Sequence, residues 1–456
     1  MTVYNASVIA EADRVSRAAQ RDFFNIVGEG AVTLSAIAGA GKSYFVMQTV
    51  KECRARNIRV AVAAPTNDQV FSLVRSIADN EPQKPLGFIP ATGVELPRWA
   101  RRPNVSIITP AHQASGQDVV VATIDKLGSA RNPRNSQIPR LGKFDALIMD
   151  ESYQANAGRY FGIADIASRH LCVGDSGQIS PFTTVKAGVQ WRGLSEDPLQ
   201  TAIDVLHANH PETPAYRFPI TRRLDGRGAA IAKYFYPRDH VFGAAVGDGV
   251  RQMKLGRAIA VSSRDRALDE ALTQAARTGW AHVELPARQT LVCDPETAQA
   301  IVDLVTRLRV RSPRLTCERQ PRGTDLAPER IAVGVSHNDQ KAMMRSLLDA
   351  AGFDSVVVDT ANKLQGLEFD FCFCWHPMAG LDEADEFHLE AGRLCVMCTR
   401  HRHACVVVGR AGDRALVEGL PPETPAWPGA ELDHVLRGWE VHQNVFAALG
   451  PHRVTT

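Results

Sequence analysis

Residues 36–43 read Ala36-Ile-Ala-Gly39-Ala40-Gly41-Lys42-Ser43, and their types and spacing suit a phosphate ligand. Glycines let successive backbone N–H groups turn toward phosphate oxygens. A helix opening at Lys42 adds partial positive charge at its N-terminus. Lys42 is then placed for the β and γ phosphates of a nucleoside triphosphate, and the Ser43 hydroxyl for magnesium. Ala36 stands where this pattern usually carries its first glycine. A plain glycine turn before a helix is the bland alternative, and the strand–Gly-Lys-Ser–helix context disfavours it. A second acidic site, Asp150-Glu151, closes the run FDALIM. An aspartate there holds magnesium through water, and the adjacent glutamate polarises an attacking water. A solvated strand end is the alternative, and the upstream phosphate loop weakens it. The expectation is binding and hydrolysis of ATP with Mg2+. Gly39, Ala40, Gly41, Lys42 and Ser43 bind nucleotide, Ser43 and Asp150 hold the metal, and Lys42 and Glu151 act in catalysis.

These residues need strands that end where the chemistry begins. Residues 31–37 (AVTLSAI) read as a buried strand, and a helix is expected from Lys42 to about Arg56. Further strands are expected at 59–65, 144–149 and 170–173, then at 290–293 (TLVC), 331–335, 355–358, 371–374 and 404–408. Short apolar runs separated by helical stretches specify parallel sheets covered on both faces. Residues 80–118 break the rhythm with Pro, Gly and Gln and read as a small insertion. The fold class is α/β, with two parallel-sheet domains in tandem. Residues 1–185 carry the phosphate loop, 186–215 connect, 216–430 form the second domain, and 431–456 a C-terminal helix or tail.

Composition agrees. A chain of 456 residues exceeds one ordinary core. Its 45% hydrophobic and 22% charged residues suit a globular protein rather than a disordered one. A net charge of +2 says little about partners, because a local basic groove escapes a whole-chain sum. No apolar run approaches the roughly 18 residues that cross a bilayer. The N-terminus lacks a basic-then-apolar signal pattern. No membrane partner is expected, and the cytoplasm is the default location. Nine cysteines are spread along the chain, several of them (Cys172, Cys372, Cys374) inside strand-like runs, as reduced buried thiols are.

Three later segments narrow the function: Gly174-Asp175-Ser-Gly-Gln178, Thr360-Ala-Asn-Lys-Leu-Gln365-Gly366-Leu-Glu368, and Thr399-Arg400-His-Arg402. With the phosphate loop and the Asp-Glu pair they stand in the order that resembles superfamily 1 helicases, over residues 17 to 410. The resemblance implies two RecA-like domains and the following roles. Gln20 reads the adenine edge. Pro65 and Thr66 (in Ala64-Pro65-Thr66-Asn67), Thr123 and Thr360 contact the nucleic-acid backbone. Gln178 senses the γ-phosphate, Gly366 couples, and Glu368 contacts the ribose. Arg223, in FPITRRLDG, and Arg400 reach from the second domain to the γ-phosphate, where a planar guanidinium stabilises transition-state charge. Arg222 is the rival for Arg223, and it stands where many family members place an aromatic against adenine. The Gln365-Gly366 pair with Glu368 resembles the branch that moves 5′ to 3′, whereas Leu367-Glu368-Phe369 resembles the opposite branch.

The implied function is an ATPase that translocates along single-stranded nucleic acid, DNA rather than RNA, and unwinds duplexes. A helicase-like switch or remodeller that does not unwind is the first alternative. A P-loop kinase or partition ATPase is the second, and it leaves the Gln365–Glu368 and Thr399-Arg400 segments without purpose. Protein partners and oligomeric state have no signature in the sequence. Three further signals read as structural. Cys395, Cys398, His401, His403 and Cys405 are dense enough for zinc, but one run would have to supply every ligand. Arg98-Trp99-Ala-Arg101-Arg102 offers a base-stacking site or a small anchor. The arginines from Arg307 to Arg322 read as a solvated face.

Overall fold

Alternate residues of each central strand feed two different cores, because successive side chains leave opposite faces of a strand. In Val60–Ala64, Val60, Val62 and Ala64 enter one core, and Ala61 and Ala63 the other. A computed structural model describes residues 3–108, 116–130, 141–181, 191, 194, 197, 200–419 and 433–456.

The strands of the first sheet are β1 (Gly30–Ser35), β2 (Val60–Ala64), β3 (Leu86–Ile89), β4 (Val105–Ile107), β5 (Val119–Thr123), β6 (Ala146–Met149), β7 (Arg169–Gly174) and β8 (Ala215–Arg217). They lie in the order β4-β3-β5-β2-β6-β7-β1-β8. Each pairing is parallel, so all these strands end at one edge. Helices α1 (Ala6–Phe24), α2 (Lys42–Ala55) and α3 (Asn67–Asn80) cover one face, and α4 (Ile124–Ala130), α5 (Ala157–Phe161) and α6 (Ala202–Asn209) the other.

A bridging segment follows. It holds the two-residue strands β9 (Ile220–Thr221) and β10 (Gly243–Ala244) around α7 (Gly226–Ala232). The rest comprises β11 (Gln252–Lys254), α8 (Ser263–Thr278), β12 (Trp280–Leu285), α9 (Pro295–Val310), β13 (Arg314–Cys317), β14 (Gln320–Asp325), β15 (Ile331–Val335), α10 (Asn338–Ala350), β16 (Val357–Thr360), α11 (Ala361–Leu364) and β17 (Phe369–Trp375). It ends with α12 (Glu386–Leu389), α13 (Ala391–Cys398), β18 (His401–Arg410), α14 (Asp413–Gly419), α15 (His434–Leu449) and β19 (Arg453–Thr455). The second sheet, β16-β15-β17-β18-β12-β19, is also parallel. Strands β11, β13 and β14 form a small antiparallel sheet beside it. One core runs from Val32 and Leu34 through Phe218, Phe235 and Tyr236 to Cys372, Cys374 and Val407, so the two sheets share apolar packing.

The tandem α/β architecture matches the expectation of two RecA-like domains. Four details differ from the reading of the sequence. Residues 290–293 form no strand; Leu291 is 85% exposed, and the run leads into Asp294, whose carboxylate caps α9. The strand there is β12, whose Trp280, Ala281, Val283 and Leu285 are buried. The stretch 80–118 supplies β3 and β4, which extend the first sheet rather than interrupt it. Finally, β8 carries the first sheet to Arg217, past residue 185, and β19 makes the C-terminus part of the second. Residues 109–115 of the expected insertion, most of 186–199, and 420–432 lie outside the described residues. Among the described residues no helix is long and apolar enough to cross a membrane. All nine cysteines are free, and Cys172, Cys372 and Cys374 are buried.

Candidate active site

Because β1, β2, β5, β6 and β7 run parallel, the segments following them converge on one edge. The loop after β1 turns on Gly39 (φ 74°) and Gly41 (φ 98°), both in the left-handed region that glycine enters freely. A Cβ on Gly39 would also lie 2.3 Å from the Cβ of Arg223. The bridging segment grips this loop. Arg222 N–H donates to Gly39 O at 2.8 Å, the Thr221 hydroxyl to Ala38 O at 2.9 Å, and Ala38 N–H to the Tyr236 hydroxyl at 2.8 Å. Ala36 is fully buried, and its N–H bonds Gly174 O at 2.8 Å, so the missing first glycine leaves a side chain in the core. Ser43 is exposed on the first turn of α2.

Lys42 points at carboxylates. Its Nζ lies 3.5 Å from Glu151 Oε1 and 3.5 Å from Asp175 Oδ2. Burial alone would lower its pKa, but Glu151, Asp175 and Asp150 outweigh it and raise the pKa. Asp150 is buried, and burial together with Glu151 pushes its carboxyl up to about 7 against the pull of Lys42. Glu151 adopts φ 53°, uncommon for a residue with a Cβ. Asp175 accepts from Gly177 N–H at 3.1 Å and from the Gln178 side-chain amide.

From the other side come two buried arginines. Arg223 Nη1 donates to Thr399 O at 3.2 Å, and its Nε lies 3.5 Å from Glu368 Oε2. Arg400 Nε donates to Val396 O at 3.0 Å and its Nη2 to the Thr399 hydroxyl at 3.1 Å. Burial and then Arg400 push Arg223 down to about 10. Arg222 turns outward; its Nε is 3.7 Å from where a Gly41 Cβ would be. Tyr44, 64% exposed on the first turn of α2, flanks the same loop.

A chain of opposite charges holds Arg223. Arg251, fully buried, donates to the carbonyls of Arg223 and Arg222 and makes a two-pronged pair with Glu318 at 2.8 and 2.9 Å. Glu318, between β13 and β14, also takes Arg402 at 2.6 Å, and Arg402 lies 3.6 Å from Glu368. Despite burial, these arginines hold the Glu318 carboxyl down to about 2. Gln178 connects the sheets through Gln365, whose amide donates to it at 2.7 Å. Gly366 is left-handed, at φ 81°.

The arrangement fits a magnesium-bound polyphosphate. Lys42, Arg223 and Arg400 converge, and Arg223 Nε is buried without a hydrogen-bond partner. The raised Asp150 carboxyl beside the exposed Ser43 hydroxyl suits a divalent cation.

The remaining expected residues lie at varied distances from this centre. The Thr66 hydroxyl caps α3, the Thr123 hydroxyl accepts Lys126 N–H at 3.2 Å, and Pro65 O accepts Arg159 at 2.9 Å. Thr360 ends β16, and Lys363 beside it pairs with Asp68 of α3 at 3.1 Å, across the two domains. Gln20 donates to Thr49 Oγ1 at 3.0 Å; at 1.5 Å per helical residue Thr49 stands roughly 10 Å along α2 from Lys42. Sequence reasoning missed Asp175, Tyr236, Arg251, Glu318 and Tyr44. Only Asp175 and Tyr44 carried a local signal, lying beside recognised segments.

The rejected signals take structural partners. Cys395 faces the Tyr236 hydroxyl, His401 bonds Cys398 O at 2.9 Å, and His403 bonds Thr316 O at 3.0 Å. Among the described residues no group of three His, Cys, Asp or Glu is set to hold a metal. Trp99 packs edge-on against Phe71, and Arg102 pairs with Asp79. Arg307 pairs with Asp265 and Asp269, and Arg311 is buried, while Arg319 and Arg322 are exposed.

Residues 10–175 match the family described as Type III restriction enzyme, res subunit, of the helicase superfamily. That stretch runs from α1 through β7, most of the first sheet domain. No curated protein matches the chain. Similar solved structures include the PRRSV helicase, 14% identical with a TM-score of 0.41, covering 90% of this chain and 55% of that one. Arterivirus nonstructural protein 10 (helicase), in a complex with DNA, is 10% identical with a TM-score of 0.40, covering 87% of this chain and 62% of that one. The Escherichia coli DEAH/RHA helicase HrpB is 11% identical with a TM-score of 0.42, covering 88% of this chain and 43% of that one. The chain thus spans about half the length of these proteins.

Proposed function

We propose that this chain, whose first sheet domain is of the helicase superfamily, hydrolyses ATP in a site shared by both sheets and couples hydrolysis to movement along single-stranded nucleic acid. The observation that carries the reading is the meeting of Lys42, Glu151 and Asp175 with Arg223 and Arg400 across the domain boundary. In this reading the loop 39–43 binds the phosphates, and Ser43 and Asp150 hold Mg2+, which neutralises charge on the transferred phosphoryl group. Glu151 accepts the proton of the attacking water. Arg223 and Arg400 stabilise transition-state charge and give hydrolysis its dependence on domain closure. Gln178, bonded to Gln365, reports the nucleotide state to the second domain. Gln20 and Glu368 take the adenine and the ribose, and Arg222 and Tyr44 flank the base. Pro65, Thr66, Thr123 and Thr360, all near strand ends, grip the strand, DNA in preference to RNA. Translocation runs 5′ to 3′ and unwinds duplexes. Nine free thiols favour the cytoplasm.

The test is steady-state ATP hydrolysis with and without single-stranded DNA or RNA, followed by strand displacement on tailed duplexes. Stimulation by a single strand is expected, DNA more than RNA. Hydrolysis indifferent to both polymers overturns the reading. Stimulation without displacement moves it to a non-unwinding ATPase.

A further inference from the structure

Residues 385–393 bear on the nucleotide sensor from the second domain. Glu390 Oε1 accepts Ser180 N–H at 3.0 Å, and a Cβ on Gly392 would sit 2.3 Å from the carbonyl carbon of Gln178. Glu390 Oε2 holds Arg393 Nη2 at 2.8 Å. The Arg393 guanidinium lies 3.7 Å from the centroid of the Phe387 ring, and its Nε donates to Phe387 O at 3.1 Å. Phe387 also stacks on His337, at the end of β15, with centroids 4.7 Å apart and planes 31° from parallel. His337 is fixed by His388 (2.9 Å between Nε2 atoms), and His388 by Asp385 at 2.7 Å.

A lone exposed aromatic is ordinary. Phe387 is 41% exposed yet braced on every bond of this chain. It opens on a cavity of about 1530 Å³ that Gln178, Thr360 and Asn362 also line. The chemistry there selects a planar, uncharged ligand. Asp385, Glu386 and Glu390 make the surroundings hostile to phosphate, and the charge of Arg393 is already matched by Glu390. A π-face beside an aromatic pair suits an unpaired nucleobase, whose stacking needs no charge and no particular sequence.

We propose that Phe387 and His337 form a stacking site for an unpaired nucleobase, tied through Arg393, Glu390 and Ser180 to Gln178. The proposal rests on the single-strand-dependent ATPase reading above and names where that strand's bases are felt. A base held there restrains residues 386–393, and these press on the sensor segment, so occupancy reaches the nucleotide site.

The experiment compares a dT single strand with an abasic strand of equal length, binding to the full chain and to Phe387→Ala, Phe387→Leu and Phe387→Trp, across a salt series. Wild type should prefer the base-bearing strand by roughly tenfold or more. Phe387→Ala and Phe387→Leu should lose most of that preference, and Phe387→Trp should keep it. The slope of log affinity against log salt should not change, because no phosphate contact is removed. Stimulation of ATP hydrolysis should likewise favour dT over abasic strand in wild type only. Thermal midpoints check that the variants fold; Leu keeps apolar bulk should Ala disturb packing. An undiminished preference in both Phe387→Ala and Phe387→Leu overturns the site, as does a shallower salt slope. Wild type that binds neither strand overturns the parent reading instead.

Discussion

The two sheets supply the same site by opposite means. The first offers one lysine and three carboxylates, set by backbone geometry at strand ends: Gly39, Gly41 and Glu151 all lie at positive φ. The second offers buried arginines set by other side chains, since Arg223 hangs on Arg251, Glu318, Arg402 and Glu368. A backbone-made site is complete once its sheet folds. A site made by charge pairing depends on residues far away in the chain, and its geometry moves when they move.

The comparison is open to breaking at several points. Glu151→Gln should cost most, about 10³-fold in ATP turnover with nucleotide affinity retained, as loss of a positioned base does. Turnover within tenfold of wild type would remove the proton-accepting role from the first sheet. Gly392→Ala comes next. Its backbone is not left-handed, so the fold should survive, but the added methyl drives against Gln178 and wedges the sheets apart. A misplacement of that size costs on the order of 10²-fold. Turnover, far-ultraviolet circular dichroism and nucleotide binding together check it; unchanged turnover means the sheets need not close this far.

How much of this was legible in the sequence follows the same division. The phosphate loop, Asp150-Glu151 and the strands behind them are local patterns of type and spacing, and they stand close to where the residues place them. Arg251 and Glu318 show nothing locally; they matter because folding brings them to the carbonyls of Arg222 and Arg223. Periodicity also misled. TLVC is as apolar as a strand, yet it is the exposed approach to a helix cap. WAHVEL carries His282 and Glu284 within its strand and was passed over, although it is central to the second sheet. Residues 80–118 looked irregular because β3 and β4 are short and β3 lies between Pro85 and Pro90.

Glu318→Gln sharpens the comparison from the second side. It should lower kcat about tenfold, the equivalent of ~1.4 kcal/mol of lost positioning, with KM for ATP little changed. A rise in KM with kcat intact would make the network a binding device.

The smallest effect on turnover should come from acid. Burial pushes His282 down to about 4, His442 down to about 3, and His376 well below the usual range, all in the second domain. The unfolded chain takes up these protons near pH 6.5 and the folded chain does not. Their contribution to stability is therefore full above pH 6.5 and falls as pH drops toward 4, by a few-fold in the opening equilibrium per imidazole at pH 6. Hydrogen exchange, corrected for intrinsic rate, should lose protection in β12, β17 and α15 before β1 and β2. Equal loss in both sheets would refute the difference.

The most direct measurement is ATP turnover and nucleotide affinity of the double variant Arg223→Ala/Arg400→Ala, with saturating single-stranded DNA. A site shared between sheets predicts turnover reduced by about 10³-fold or more while nucleotide still binds to the loop at Lys42. Turnover close to wild type would show that the first sheet hydrolyses ATP alone and would contradict the account.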